Sequence, residues 1–169
     1  IIASSATIKP VIAYSPISLS TQSKLPQNTI TPSELHNFLA SPANWPKIVA
    51  SSSSVESSSS SYSRGGSSSI NLEQPLPVGQ SVDEIFGLPP IFPLSVTWTC
   101  VKSVTPTDTR PGRLEFFSEG GVPGIANECK MSFDITTNTN NNGSTDKEGG
   151  EASSLSTNLS LQMEYQPQS

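Results

Sequence analysis

The sequence predicts an α+β domain: one strand, a pair of short helices, then several antiparallel strands forming a curved sheet. Two alternating runs and one helix start carry this prediction. Leu94-Ser-Val-Thr-Trp-Thr-Cys-Val sets Leu94, Val96, Trp98 and Cys100 on one face. Glu128-Cys-Lys-Met-Ser-Phe-Asp-Ile does the same with Cys129, Met131, Phe133 and Ile135. A period of two sends successive side chains to opposite faces and marks a half-buried antiparallel strand. Thr31-Pro-Ser-Glu is the helix start, with threonine at the N-cap, proline at N1 and glutamate at N3. In that arrangement each polar side chain can satisfy a backbone N–H that the helix leaves free.

In chain order, residues 1–10 read as a flexible N-terminal segment, and 11–167 as a single domain. Val11 to Tyr14, continuing through Pro16 to Leu19, reads as an edge strand, because proline is tolerated at sheet edges. In the helix that Thr31 opens, Leu35, Phe38 and Leu39 form an apolar stripe at helical spacing, with Ile30 positioned to staple toward Leu35. Pro42 stops it. Asn44-Trp-Pro-Lys-Ile-Val reads as a second short helical turn whose Trp45 and Ile48 cover an opening in the sheet. Residues 51–69 are mostly serine and form a low-complexity insertion, although Val49 to Glu56 can begin a strand. Val78 to Phe86 is a further strand or strand edge. Gly87-Leu-Pro-Pro-Ile-Phe-Pro-Leu is apolar but too rich in proline for a central strand. It is either a stiff lip beside a cavity or a covered loop.

The turn Thr105 to Gly112 leads into the strand Arg113-Leu-Glu-Phe-Phe, and Ser118 to Gly124 is the next turn. Residues 136–154 are a second low-complexity insertion in a hairpin. Leu159, Leu161, Met163 and Tyr165 then alternate with Ser160, Gln162 and Glu164, and Pro167 ends the strand. A curved sheet needs an element against its concave side. No long helix follows Tyr165, so the domain reads as incomplete at its C-terminus. The chain begins at Ile1, which reads as a processed product or a fragment.

Only 33% of the 169 residues are hydrophobic, a deficit concentrated in the serine and asparagine tracts. The net charge of −5, with no basic patch, excludes nucleic acid as an expected partner. No apolar run is long enough to span a bilayer. His36 is the single histidine and falls at the margin of the helix stripe. With no second histidine and no cysteine at ligand spacing, neither a metal nor a cofactor is expected. The glycines at 120, 121 and 124 lack the lysine and helix of a phosphate loop. Cys100 and Cys129 read as buried thiols, with a bridge between them as the alternative. Tyr165, Glu115, Glu119, Glu128 and Asp134 are the acid–base groups near the sheet, yet no nucleophile–histidine–acid set assembles. No catalytic residue is assigned.

The segment Leu35-His-Asn-Phe-Leu-Ala-Ser-Pro-Ala-Asn-Trp-Pro-Lys-Ile-Val resembles the start of START-like, helix-grip domains. The runs Val78 to Pro90, Leu94 to Cys100, Gly112 to Ser118 and Cys129 to Ile135 are similar to the sheet of an uncharacterised photosynthetic branch of that superfamily. Its members include the polyketide cyclase/dehydrase and lipid-transport type. The resemblance implies about seven strands, two short helices after the first, and a long C-terminal helix that this chain lacks. It also implies a plastid location and a monomer, with peripheral membrane contact left open. The implied function is binding or transport of a hydrophobic small molecule or lipid, such as an isoprenoid or pigment, in a cavity on the concave face. The candidate lining is Trp45, Leu94, Val96, Trp98, Phe116, Cys129, Met131, Phe133, Leu161, Met163 and Tyr165. The alternatives are a cyclase- or dehydratase-type enzyme acting on an apolar substrate, and an assembly protein with a filled core.

Overall fold

The computed structural model describes residues 15–25, 29–58, 70–87, 93–107, 109–139 and 155–168. The strands are β1 (Ile17–Leu25), β2 (Ser52–Ser57), β3 (Ser81–Phe86), β4 (Leu94–Val104), β5 (Gly112–Ser118), β6 (Ala126–Thr139) and β7 (Leu155–Pro167). Between β1 and β2 lie helix α1 (Pro32–Ala40), a 3-10 turn (Pro42–Asn44) and helix α2 (Trp45–Ile48). All seven strands form one curved antiparallel sheet in the order β1-β7-β6-β5-β4-β3-β2. β1 and β2 are consecutive strands in the chain but lie at opposite edges. The helices between them must therefore cross the sheet, and α1 packs on β5 and β6 while α2 packs on β2. No helix follows β7 among the described residues.

Helix α1 forms as its sequence dictates. Thr31 Oγ1 accepts from the Glu34 backbone N–H at 3.2 Å, and Glu34 Oε2 accepts from the Thr31 N–H at 2.8 Å. A cap of this kind contributes about 1 kcal/mol. Those hydrogen bonds also hold the Glu34 carboxyl below the usual glutamate range. At the other end the four last carbonyls all find donors. Asn37 O accepts from the Ser41 hydroxyl at 2.8 Å, Phe38 O from Asn44 Nδ2 at 3.0 Å and Leu39 O from Trp45 Nε1 at 2.9 Å. Ala40 O accepts from the Leu76 N–H at 2.9 Å. A helix end buried in a domain needs such partners, and Ser-Pro-Ala-Asn-Trp supplies three of them within one turn.

The core is the inner face of β3 to β6 under the helices. Val82, Val96, Trp98, Cys100, Leu114, Phe116 and Ile135 are all buried, as are Cys129, Met131 and Phe133. The Trp45 ring meets Phe116 edge-on at 5.0 Å, and Phe116 meets Phe133 at 6.5 Å. The β5–β6 turn depends on Gly121 at φ 58, where a side chain would strike the Ala126 carbonyl. On the outer face, Arg113 Nη1 reaches both Asp134 oxygens at 2.7 and 2.8 Å. Glu115, held below its usual range first by its hydrogen bond from Arg113, pairs with Arg113 and Lys130.

Several expectations are revised. β1 runs from Ile17 to Leu25, later than the Val11–Leu19 reading, whose portion before residue 15 lies outside the described residues. β2 lies within the serine stretch 51–69, because pairing with β3 supplies the order its composition does not. β6 likewise continues through Thr139, into the stretch 136–154. Val78 sits in a turn before β3, with Gly79 at φ 85. Most of the proline-rich 87–94 stretch lies outside the described residues. Cys100 and Cys129 are free; β5 lies between their strands, so they are not cross-strand neighbours placed to form a bridge. His36 is 2% exposed rather than marginal, with Nε2 3.4 Å from Ser103 Oγ on β4.

Candidate functional site

Burial along the inner face is uneven. It is nearly complete on β3 to β6, where Phe86 and Leu94 are the partly buried apolar positions, but Leu159, Leu161, Met163 and Tyr165 of β7 are half-buried. On β1, Ile17 and Leu19 are 41% and 59% exposed. Register explains the continuity. Leu19 lies opposite Met163, and Met163 opposite Met131, so all three side chains share one face. Phe133, Leu161 and Thr21 form the next such row.

Between this partly covered face and the helices lies a groove of about 360 Å³. One wall is Leu35, Phe38 and Leu39 of α1, with Ile48 and Val49. The floor is Phe86 and Glu84 of β3, Trp98 of β4, and Met131 and Phe133 of β6. The other wall is Leu159, Leu161 and Met163 of β7, with Thr21 and Ser23 of β1. A larger depression of about 540 Å³ is lined mainly by polar side chains, among them Gln22, Lys24, Asp134, Asn158 and Ser160. It mixes residues of both sheet faces and offers a ligand no apolar enclosure. The 360 Å³ groove is the better candidate because its lining is mainly apolar.

The structure brings five of the sequence candidates into this groove: Trp98, Met131, Phe133, Leu161 and Met163. Trp45, Val96 and Phe116 are elsewhere, packed as core. Cys129 and Tyr165 border a separate depression of about 190 Å³ near Pro16 and Gln166. Leu94 lines none of these three. Burial pushes both cysteine thiols above their ordinary range, which keeps them protonated and weakly reactive. Burial also lowers the His36 pKa, against a smaller raising effect of Asn37, and so favours neutral imidazole. Glu115 and Asp134 are committed to the outer-face ion pairs. Among the described residues, no three His, Cys, Asp or Glu side chains gather as a metal site, and no helix is long and apolar enough to cross a membrane.

The other ten lining residues, among them the α1 stripe and Leu159, were not among the sequence candidates, and one of the ten, Glu84, is ionisable. Glu84 stands between Val82 and Phe86 in strict alternation, which turns its carboxyl inward. It is 3% exposed. Trp98 Nε1–H donates to Glu84 Oε2 at 2.9 Å, while Oε1 has no hydrogen-bond partner. Ser52 Oγ bears on the carboxyl as a polar neighbour, but it too lacks a partner at hydrogen-bonding geometry. Desolvation raises the Glu84 pKa, and Ser52 and Trp98 oppose that only in part. The signal was legible: a carboxylate at an inward position of a strand, between two apolar residues.

No family model matches the chain, and no curated protein sequence matches it. Among solved structures, that of Ara h 8.0201 is similar at 11% identity and a TM-score of 0.51, covering 92% of this chain and 80% of that one. Truncated norcoclaurine synthase from Thalictrum flavum is similar at 11% identity and a TM-score of 0.47, covering 94% of this chain and 81% of that one. The first likeness carries the architecture and nothing finer: an α+β fold in which a curved antiparallel sheet of seven strands has two short helices after its first strand.

Proposed function

We propose that this protein binds or carries a hydrophobic small molecule (a lipid, isoprenoid or pigment-like compound) in the groove between α1 and β7. The observation that carries the reading is the run of half-buried apolar side chains, Leu159, Leu161 and Met163, set with Leu35 and Phe38 of α1 around a volume of about 360 Å³. Ligand sites in proteins are typically concave, mainly apolar and about 300–1,000 Å³ in volume. A protein core packs to the density of an organic crystal, and unfilled space of this size forfeits contact energy on every wall. An apolar ligand restores those contacts.

A cyclase or dehydratase reading has one observation in its favour, the Glu84 carboxyl. General acid–base chemistry on an apolar substrate needs a proton donor or acceptor at the reacting atom. Among the described residues lining the groove, Glu84 is the one such ionisable group, which supports binding over a two-group mechanism. The plastid location, the monomeric state and membrane contact belong to the same proposal and rest on the sequence resemblance. Native mass spectrometry of gently purified full-length protein tests the central claim. A retained apolar adduct, or stoichiometric uptake of pyrene followed by its fluorescence, is the expected result. Absence of both overturns it.

A further inference from the structure

We propose that Glu84 is the polar anchor of the groove, pairing through Oε1 with the single carbonyl or hydroxyl oxygen of an otherwise apolar, uncharged ligand. This inference rests on the binding function proposed above and adds the chemical class of the ligand.

Three observations converge on it. Glu84 is 3% exposed and lines the groove, yet Oε1 is without a partner. Buried polar atoms in native proteins are nearly always paired, so an orphaned carboxyl oxygen on a residue that lines the groove marks a missing partner. Second, the carboxyl is fixed in place. Its other oxygen is held by the indole N–H of Trp98, itself a groove residue that is 3% exposed, so Oε1 is left for an occupant of the groove. Third, the surroundings are hydrocarbon: Phe86 on the same strand, Leu39 on α1 and Met131 on β6. In so apolar a site a hydrogen bond is electrostatically strong and an unpaired charge is costly.

The selectivity follows from this chemistry. A protonated carboxyl donates to a ketone or alcohol oxygen, and an ionised one accepts from a hydroxyl. An ionised Glu84 repels a second carboxylate, because two like charges cannot both be desolvated at short range; the acid form offers such an anion one hydrogen bond against the cost of burying its whole charge in hydrocarbon. The groove should therefore take neutral oxygenated molecules and reject fatty-acid anions. Burial favours the acid form and so the donor role.

Ser52 offers the competing explanation. Its hydroxyl is the other buried orphan, and a small rotation could pair it with Glu84 to make a purely structural polar triad. The test separates the two readings. Full-length protein is titrated with pyrene, acetylpyrene and pyrenebutyrate, followed by fluorescence, for the wild type, E84Q and E84L. The wild type should bind acetylpyrene roughly three- to tenfold tighter than pyrene, the value of one hydrogen bond. E84Q keeps that preference, since its amide oxygen can take the Trp98 N–H and its NH₂ can donate. At a pH high enough to ionise Glu84, E84Q also binds pyrenebutyrate at least tenfold better than the wild type. E84L binds pyrene but shows no preference for the ketone. If E84L does not fold, the pyrenebutyrate gain in E84Q decides the matter. Pyrene binding without ketone preference in the wild type, or equal rejection of pyrenebutyrate by E84Q, overturns the anchor and leaves the binding function standing. No pyrene binding by the wild type overturns the binding function itself.

Discussion

Replacing Trp45 separates the groove from the core beside it. The residue is 2% exposed and does not line the groove, so its effect should fall on stability. Two variants divide its contributions. Trp45→Phe keeps a ring against Phe116 but removes the indole N–H that caps the Leu39 carbonyl. That carbonyl lies at the buried end of α1, and leaving it unpaired costs about 1–3 kcal/mol. Trp45→Ala also opens a void against Phe116, and large aromatic truncations in cores cost about 3–5 kcal/mol. The expected order is wild type, then Phe, then Ala, with Phe losing about a third to a half of what Ala loses. Urea unfolding by circular dichroism measures this as a fall in midpoint at constant slope. Pyrene affinity measured in parallel should change less than threefold in Trp45→Phe. A Trp45→Phe protein of unchanged stability but strongly reduced pyrene affinity would refute this reasoning and return Trp45 to the ligand site.

Two further outcomes follow from named contacts. Because burial raises the native Glu84 pKa, the folded protein binds a proton more tightly than the unfolded chain between the two pKa values, so stability falls as pH rises through that window. Each unit of separation is worth about 1.4 kcal/mol. The groups around the carboxyl do not titrate there: Ser52 on β2, Val96 and Trp98 on β4, and Leu35, Phe38 and Leu39 on α1, while His36 is turned to Ser103. Denaturation against pH should show the decline in the wild type and its absence in Glu84→Gln; parallel profiles for the two proteins would sink the assignment. Thr31→Ala removes one half of the capping box and should cost about 1 kcal/mol, visible as a lower thermal midpoint with pyrene affinity intact.

The parts of this fold that were legible are those where one face is buried and the other is not. On β4 and β6 the alternation of Val96, Trp98 and Cys100, and of Cys129, Met131 and Phe133, matches burial except at Ser132, which is buried on the other face. The cap of α1 was legible because its chemistry is local. β2 was legible only as a strand that Val49 to Glu56 can begin, since serine has little intrinsic preference for a strand and the order comes from β3 lying beside it. The burial of His36 was hidden for the same reason: helix geometry gives its angle on α1, while Ser103 on a strand 67 positions away provides its cover. Glu84 was legible in principle. Reading Val78 to Phe86 as a strand placed its carboxylate on the same face as Val82, and only the question of what a carboxylate does there went unasked. The groove itself joins α1 to β7, elements at opposite ends of the chain, and no periodicity carries that distance.

Strand order accounts for where the groove lies. β1 and β2 are edges, so the chain between them has to traverse the concave face, and α1 does so over β5 and β6 before α2 reaches β2. Phe116 on β5, between Trp45 and Phe133, fills the space beneath that crossing. The inner face of β7 and β1 lies beyond it, and there apolar exposure rises from Met131 at 8% to Leu19 at 59%. A volume is left at that boundary, with packed core on one side and half-covered strands on the other. Glu84 is fixed on the packed side by Trp98, whereas Leu161 and Met163 stand on the half-covered side. The rigid half is thus suited to holding the polar atom of a ligand in a defined place. The open half is suited to accepting hydrocarbon of variable shape, because side chains with unfilled space beside them can repack at little cost. Specificity for the polar group should accordingly reside in β3 and β4, and tolerance for the apolar body in β7 and β1.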